Sequence, residues 1–109
     1  MNYNVLTIPP FDKQLKRLAK KYPSLKNEFA ALLEKLEQEP EQGISLSNNS
    51  YKIRIAIASK GKGKSGGARV ITNFVISEET VFLITIYDKS EKENLTDKEL
   101  NELLKYVPE

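Results

Sequence analysis

The chain has no cysteine, no histidine and no tryptophan among its 109 residues. Without cysteine there is no disulfide framework and no thiolate metal site. Without histidine as well, a Ser-His-Asp or Cys-His nucleophile system is impossible, and a zinc site would have to be built from carboxylates alone. Acid–base work therefore falls to Lys, Arg, Tyr, Asp or Glu, which removes most hydrolase chemistries. Long apolar runs are missing too. Nothing approaches the roughly 20 residues that span a bilayer, so no membrane association is expected. The first residues, Met1-Asn2-Tyr3-Asn4-Val5, lack the charged start and apolar stretch of a signal peptide. These absences point to a cytoplasmic protein, and no cofactor or metal is expected.

What the chain does have is positive charge concentrated in one place. The formal net charge is only +2, yet residues 51–73 carry six bases (Lys52, Arg54, Lys60, Lys62, Lys64, Arg69) and no acid. Residues 1–50 carry seven bases and six acids, and residues 74–109 carry four and nine. Four of the five glycines fall inside the basic segment, in Ser59-Lys60-Gly61-Lys62-Gly63-Lys64-Ser65-Gly66-Gly67. A cation patch with a glycine-rich tip suits a polyphosphate ligand, nucleic acid above all. A hairpin that is basic only for solubility has the same composition.

The length fits one domain, residues 1–109, with a modest core. Val5-Leu6-Thr7-Ile8 reads as a short strand stopped by Pro9-Pro10. Phe11, Leu15, Leu18 and Tyr22 then recur at helical spacing, with Lys13, Lys16, Arg17, Lys20 and Lys21 on the other face. Pro23-Ser24 breaks this helix, and Ser24 is placed to cap a second one carrying Leu25, Phe29, Leu32, Leu33 and Leu36. Two helices joined this tightly form an antiparallel hairpin. After Gly43 the period becomes two: Tyr51, Ile53, Ile55 and Ile57 alternate with Lys52, Arg54 and Ala56. Residues 69–76 and 81–87 are the next strands, the second nearly all apolar and so central. Leu95-Thr96-Asp97-Lys98-Glu99-Leu100 combines a capping box with a hydrophobic staple and starts a last helix, in which Leu103, Leu104, Tyr106 and Val107 pack. The expected fold is α+β: an N-terminal strand, a helical hairpin packed on a twisted antiparallel sheet of about four to five strands, and a C-terminal helix.

Ala58 to Ser65 fits a loose phosphate-loop spacing, but such a loop needs a helix after it to aim N–H groups at the phosphates, and here a β-branched strand follows. Lys52 and Arg54 carry more weight, because two residues apart on a strand they share a face. Arg69 starts the partner strand near the same end, and Lys89 follows the central strand. Convergent cations of this kind grip a scissile phosphate and stabilise a pentacovalent transition state, although an ordinary charged sheet face also fits. Tyr87 ends the central strand and is a possible stacking or phenolic group. The run 88–93 reads as a solvated loop in which Lys89 and Lys92 are the cations.

With these residues in view, the chain resembles the RelE/ParE superfamily of bacterial toxins. Tyr51-Lys52-Ile53-Arg54, the glycine–lysine hairpin running into Ala68-Arg69-Val70-Ile71, and Leu83-Ile84-Thr85-Ile86-Tyr87-Asp88-Lys89 are similar to its RelE/HigB-like branch. The resemblance covers about Phe11 to Leu104. It implies the toxin of a type II toxin–antitoxin pair, with a small antitoxin protein as partner, that cleaves mRNA on the ribosome without a metal. By position, Lys52, Arg54 and Arg69 match basic site residues of the family and Lys89 falls near another, with Tyr87 beside them; Lys60, Lys62, Lys64 and Lys92 are the RNA contacts expected from the basic segment and the 88–93 loop. Arg54 stands where relatives place a lysine proposed as general base, and a guanidinium stays protonated. Proton transfer then falls to Lys60, Lys89 or Tyr87, or the site acts by electrostatic stabilisation alone. The ParE branch implies a different activity, inhibition of DNA gyrase by binding, and a plain nucleic-acid-binding module is a third reading.

Overall fold

The computed structural model describes residues 2–61, 63 and 66–108. The elements are β1 (Asn4–Thr7), α1 (Pro9–Lys21), α2 (Leu25–Gln38), β2 (Ile44–Ser45), β3 (Ser50–Ile55), β4 (Ala68–Val75), β5 (Thr80–Asp88) and α3 (Asp97–Leu104). Short 3-10 turns lie at Ala58–Lys60 and Ile76–Glu78. The class is the expected α+β, with five strands in the order β1-β5-β4-β3-β2. Strands β2 to β5 form the antiparallel meander that the alternating pattern implied. One pairing differs, because β1 runs parallel to β5, from Asn4↔Thr80 to Thr7↔Leu83. The helical hairpin carries the chain from β1 to the far edge at β2, and the meander returns β5 to lie beside β1 in the same sense. The sheet is therefore mixed, as any strand joined through a helical crossover allows.

The two helical stripes bury as their spacing requires. Phe11 and Leu18 of α1 and Leu25, Leu32 and Leu36 of α2 are all buried, each worth about 1.5–3 kcal/mol relative to exposure. They cover the sheet face that carries Ile53, Ile55, Val70 and Ile86. Tyr22, just beyond α1, marks this face by hydrogen-bonding Asp88, which has the same parity as Ile86. On the opposite face lies α3, whose buried Leu100 lines a cavity with Lys52, Ile71 and Tyr87.

The helix ends show where local signals held and where tertiary contacts won. At α3 the capping box is complete: Thr96 Oγ1 accepts from Glu99 N at 3.1 Å, and Glu99 Oε1 accepts from Thr96 N at 3.0 Å. Pro9 and Pro10 open α1, where a missing N–H costs no helical bond. Ser24 does not cap α2. It sits in the αR region, and its hydroxyl turns to Ser59 and Glu28. Tyr106, expected to pack with α3, is 54% exposed because the helix ends at Leu104 and the chain turns away. Asp88, expected in a solvated loop, is the last residue of β5 and is wholly buried.

Candidate active site

Directly paired residues in a sheet project from the same face, and their Cβ atoms lie about 4.5–5.5 Å apart. Arg54 of β3 pairs with Arg69 of β4, and Arg69 pairs with Tyr87 of β5. The three side chains thus form a row across the central strands. One pleat along, Lys52 pairs with Ile71, and Ile71 with Thr85. Immediately beyond this second row the β4–β5 register shifts at Ile71/Thr72, leaving Ile84 as the extra residue. Such bulges recur next to active sites because they re-aim neighbouring side chains.

The face is graded in accessibility. Arg54 is exposed and Lys52 half-buried, whereas Arg69 and Tyr87 are only 5% and 6% exposed beneath the C-terminal segment. A cavity of about 140 Å³ between sheet and α3 brings together Lys52, Tyr87, Leu95 and Asp97. A wider groove of about 550 Å³ runs past Lys52 and Arg54 toward Glu28 and Lys35 of α2. Arg69 donates to the Ala68 carbonyl at 3.3 Å. The Tyr87 hydroxyl is buried and makes no hydrogen bond of full geometry among the described residues, although the Leu95 backbone lies close enough to help hold its pKa down. Burial pushes its pKa up, partly offset by the nearby cations of Arg69 and Lys92, so the phenol keeps its proton at neutral pH.

The other sequence candidates are placed differently. Lys60 points inward, not toward solvent: its side chain is only 9% exposed, and the ammonium pairs with Asp88 and donates to the Gly66 carbonyl at 2.7 Å. Lys89 donates to the Glu93 carbonyl at 2.8 Å, within its own turn. Lys92 pairs with Glu99 at 2.5 Å, which with the Thr96 cap holds the Glu99 carboxyl down at about 2. Lys62 and Lys64 lie outside the described residues. Among the described residues, no group of three His, Cys, Asp or Glu side chains is placed to hold a metal ion.

Sequence reasoning missed Asp88 and its neighbours. The carboxylate receives Tyr22 Oη at 2.6 Å, Ser90 N at 2.9 Å, Ser90 Oγ at 2.7 Å and the Lys60 ammonium. Burial pushes this carboxyl up, but the bonds from Lys60, Tyr22 and Ser90 more than reverse that and leave it well below the usual carboxylate range. The available signal was an acid closing a nine-residue strand whose other members are apolar or neutral.

Fold and face together define a small α+β protein with a cationic row across the centre of a sheet, partly roofed by a C-terminal helix. The family model described as the RelE toxin of the RelE/RelB toxin–antitoxin system matches residues 11–108, and the chain belongs to that family. A double-arginine mutant of the E. coli toxin RelE in its free state is similar over 99% of this chain and 100% of its own, with TM-score 0.65 and 14% identity. The isolated E. coli RelE toxin covers 97% of this chain and 99% of its own, with TM-score 0.51 and 18% identity. The RelBE2 toxin–antitoxin complex of Mycobacterium tuberculosis covers 81% and 92%, with TM-score 0.55 and 16% identity. At such identities the likeness is one of fold. Among the described residues, no helix is long and apolar enough to cross a membrane.

Proposed function

We propose that this toxin is a metal-independent endoribonuclease that cuts mRNA on the ribosome and so stops translation in the cytoplasm. The observation that carries the reading is the Arg54–Arg69–Tyr87 row with Lys52 one pleat away. Like charges directly opposite on neighbouring strands are destabilising, and an anion bound across them turns that repulsion into affinity. In the proposed reaction the ribose 2′-oxygen attacks the adjacent phosphorus as its proton passes to water, the bond to the 5′-oxygen breaks, and a 2′,3′-cyclic phosphate and, once the leaving oxygen is protonated, a 5′-hydroxyl result. Lys52, Arg54 and Arg69 bind the phosphate and the charge that grows on it. Arg54 cannot accept the 2′-OH proton. Lys60 has its donors committed elsewhere, and Lys89 is turned to Glu93. Tyr87, protonated and without a hydrogen bond of full geometry among the described residues, is the group suited to protonate the leaving 5′-oxygen. The ribosome supplies orientation, worth several kcal/mol in reactions of this kind.

Primer extension on a reporter mRNA in a purified translation system tests this. Wild type gives ribosome-dependent cuts, while Arg69→Ala and Lys52→Ala reduce them by at least about a hundredfold. Intact mRNA from folded wild-type protein refutes the reading and directs attention to gyrase supercoiling. The expected partner is the cognate antitoxin, in line with the family and with the structurally similar complex. It covers the cation row or displaces α3. A co-purified complex that leaves Lys52 and Arg54 as accessible to solvent as they are in the free protein would refute direct masking.

A further inference from the structure

Asp88 faces away from the cation row, yet it sits where the glycine-rich loop begins and ends. Its partner Lys60 is at the loop's entrance, and the same ammonium donates to Gly66 at the exit. The third Lys60 donor reaches Ser90 Oγ at 3.2 Å, so all three are used. The exit is fastened twice more. Lys89 N donates to the Gly67 carbonyl at 3.0 Å, and Gly67 lies so close to β3 that a Cβ would stand 2.0 Å from the Ile55 carbonyl oxygen. The entrance is pinned to α2 and to the residue before it, with Ala58 N on Glu28 Oε2 at 2.6 Å and Ser59 N on Ser24 Oγ at 2.9 Å. Two residues past Gly67 comes Arg69.

A buried ion pair is weak evidence for stability, because apolar residues of similar volume often do as well or better. A buried polar network with every donor and acceptor satisfied rigidifies and selects one arrangement among several. Selection matters here, since glycine leaves a backbone more conformations to choose from, and Gly61, Gly66 and Gly67 lie at the two ends being fastened.

We propose that Asp88 is a positioning residue which, through Lys60, holds residues 58–60 and 66–67 together and thereby sets the start of β4, with Arg69, in place for RNA. The inference rests on the RNA-directed reading of the site. It also gives Lys60 a role other than RNA contact: its charge is used inside the protein.

The test is affinity for a single-stranded oligoribonucleotide by fluorescence anisotropy, which requires no cleavage, with folding checked by circular dichroism and melting. Counting charge alone, Asp88→Asn makes the protein one unit more cationic and should tighten binding. Positioning predicts the opposite sign, a loss of about tenfold at fixed salt. Tyr22→Phe keeps the charge, removes one bond to the carboxylate and shifts affinity the same way by less. A double variant, Lys60→Met with Asp88→Leu, keeps the net charge and replaces the pair by apolar packing. It binds about tenfold more weakly than wild type even if it melts as high or higher. A folded Asp88→Asn that binds RNA as tightly as wild type overturns the proposal. If that variant does not fold, wild-type affinity in the double variant overturns it equally, as does a wild type without affinity for RNA. If these differences hold while wild type cuts no ribosome-bound mRNA, the cleavage reading falls and the positioning role stands.

Discussion

Two guanidinium-bearing residues on directly paired positions stand beside a buried phenol whose hydroxyl makes no hydrogen bond of full geometry among the described residues. Arg54 and Arg69 are paired across β3 and β4, where like charges are unfavourable, and a buried unsatisfied hydroxyl costs about 1–3 kcal/mol. Tyr87 carries that cost where it pairs with Arg69 and lines the cavity under α3. Tyr87→Phe keeps the ring and removes only the unpaired polar atom. It is therefore expected to raise stability by about 1 kcal/mol, equivalent to a Tm increase of roughly 4–8 °C in a domain near this size. If the hydroxyl protonates the leaving oxygen, the same variant cleaves at least about a hundredfold more slowly while its RNA affinity stays near that of wild type. A melting curve and a single-turnover cleavage rate on one preparation check both halves. A more stable, fully active Tyr87→Phe would leave the reaction to electrostatic stabilisation by Lys52, Arg54 and Arg69.

At the scale of elements, α3 decides how accessible this face is, and its start is the best-defined local feature of the chain. Thr96→Ala removes the hydroxyl that caps Glu99 N and with it half of the reciprocal pair. A loss of about 1 kcal/mol is expected, and because α3 has eight residues it should appear as local fraying. Hydrogen exchange reports this as faster exchange in residues 97–104, with β4 and β5 unchanged. If exchange rises uniformly, α3 and the sheet unfold as one unit. The α3 start could be read from Leu95 to Leu100 because a capping box and a staple are fixed by neighbours in sequence. The same holds for the helical stripes and for β3, where period-two alternation set Lys52 and Arg54 on one face. Contacts between distant segments left no comparable trace. Ser24 carried a cap signal, but Ser59 and Glu28 took its hydroxyl. β1 looked like any short strand, and only the crossover made it parallel to β5. Lys60 looked like one more loop cation because its partner Asp88 lies 28 positions on. The cation row was half visible: the sequence showed which residues point together on one strand, and the register then put Arg69 opposite Arg54 and Tyr87.

Over the whole molecule, the acidic C-terminal third is tied to the basic remainder, and within itself, through carboxylates that differ in depth. Glu91 bonds Arg17 of α1 at 2.9 Å, at a partly exposed site where both side chains stay in contact with water. The Arg17 hydrogen bond comes first among the causes that lower the Glu91 pKa. Glu99, held at about 2 by Lys92 and the Thr96 cap, is likewise partly exposed. Asp88 alone is buried, and its pKa is lowered despite burial. A carboxyl whose pKa is lower in the folded state binds more protons when unfolded. Its contribution is therefore present above the unfolded value, about 4, and is lost as pH falls toward the folded value. Tm is accordingly expected to be flat from about pH 8 to 5 and to fall steadily below about pH 4.5. Salt separates the pairs. At about 1 M salt the screening length shrinks to roughly 3 Å, so partly exposed pairs such as those of Glu91 and Glu99 weaken, whereas a buried pair is screened far less. The acid slope that survives high salt is then assigned to Asp88, and Asp88→Asn should flatten that residual slope. If high salt abolishes the acid slope in wild type, the linkage comes from the surface pairs, and the Lys60–Asp88 pair is open to water in solution.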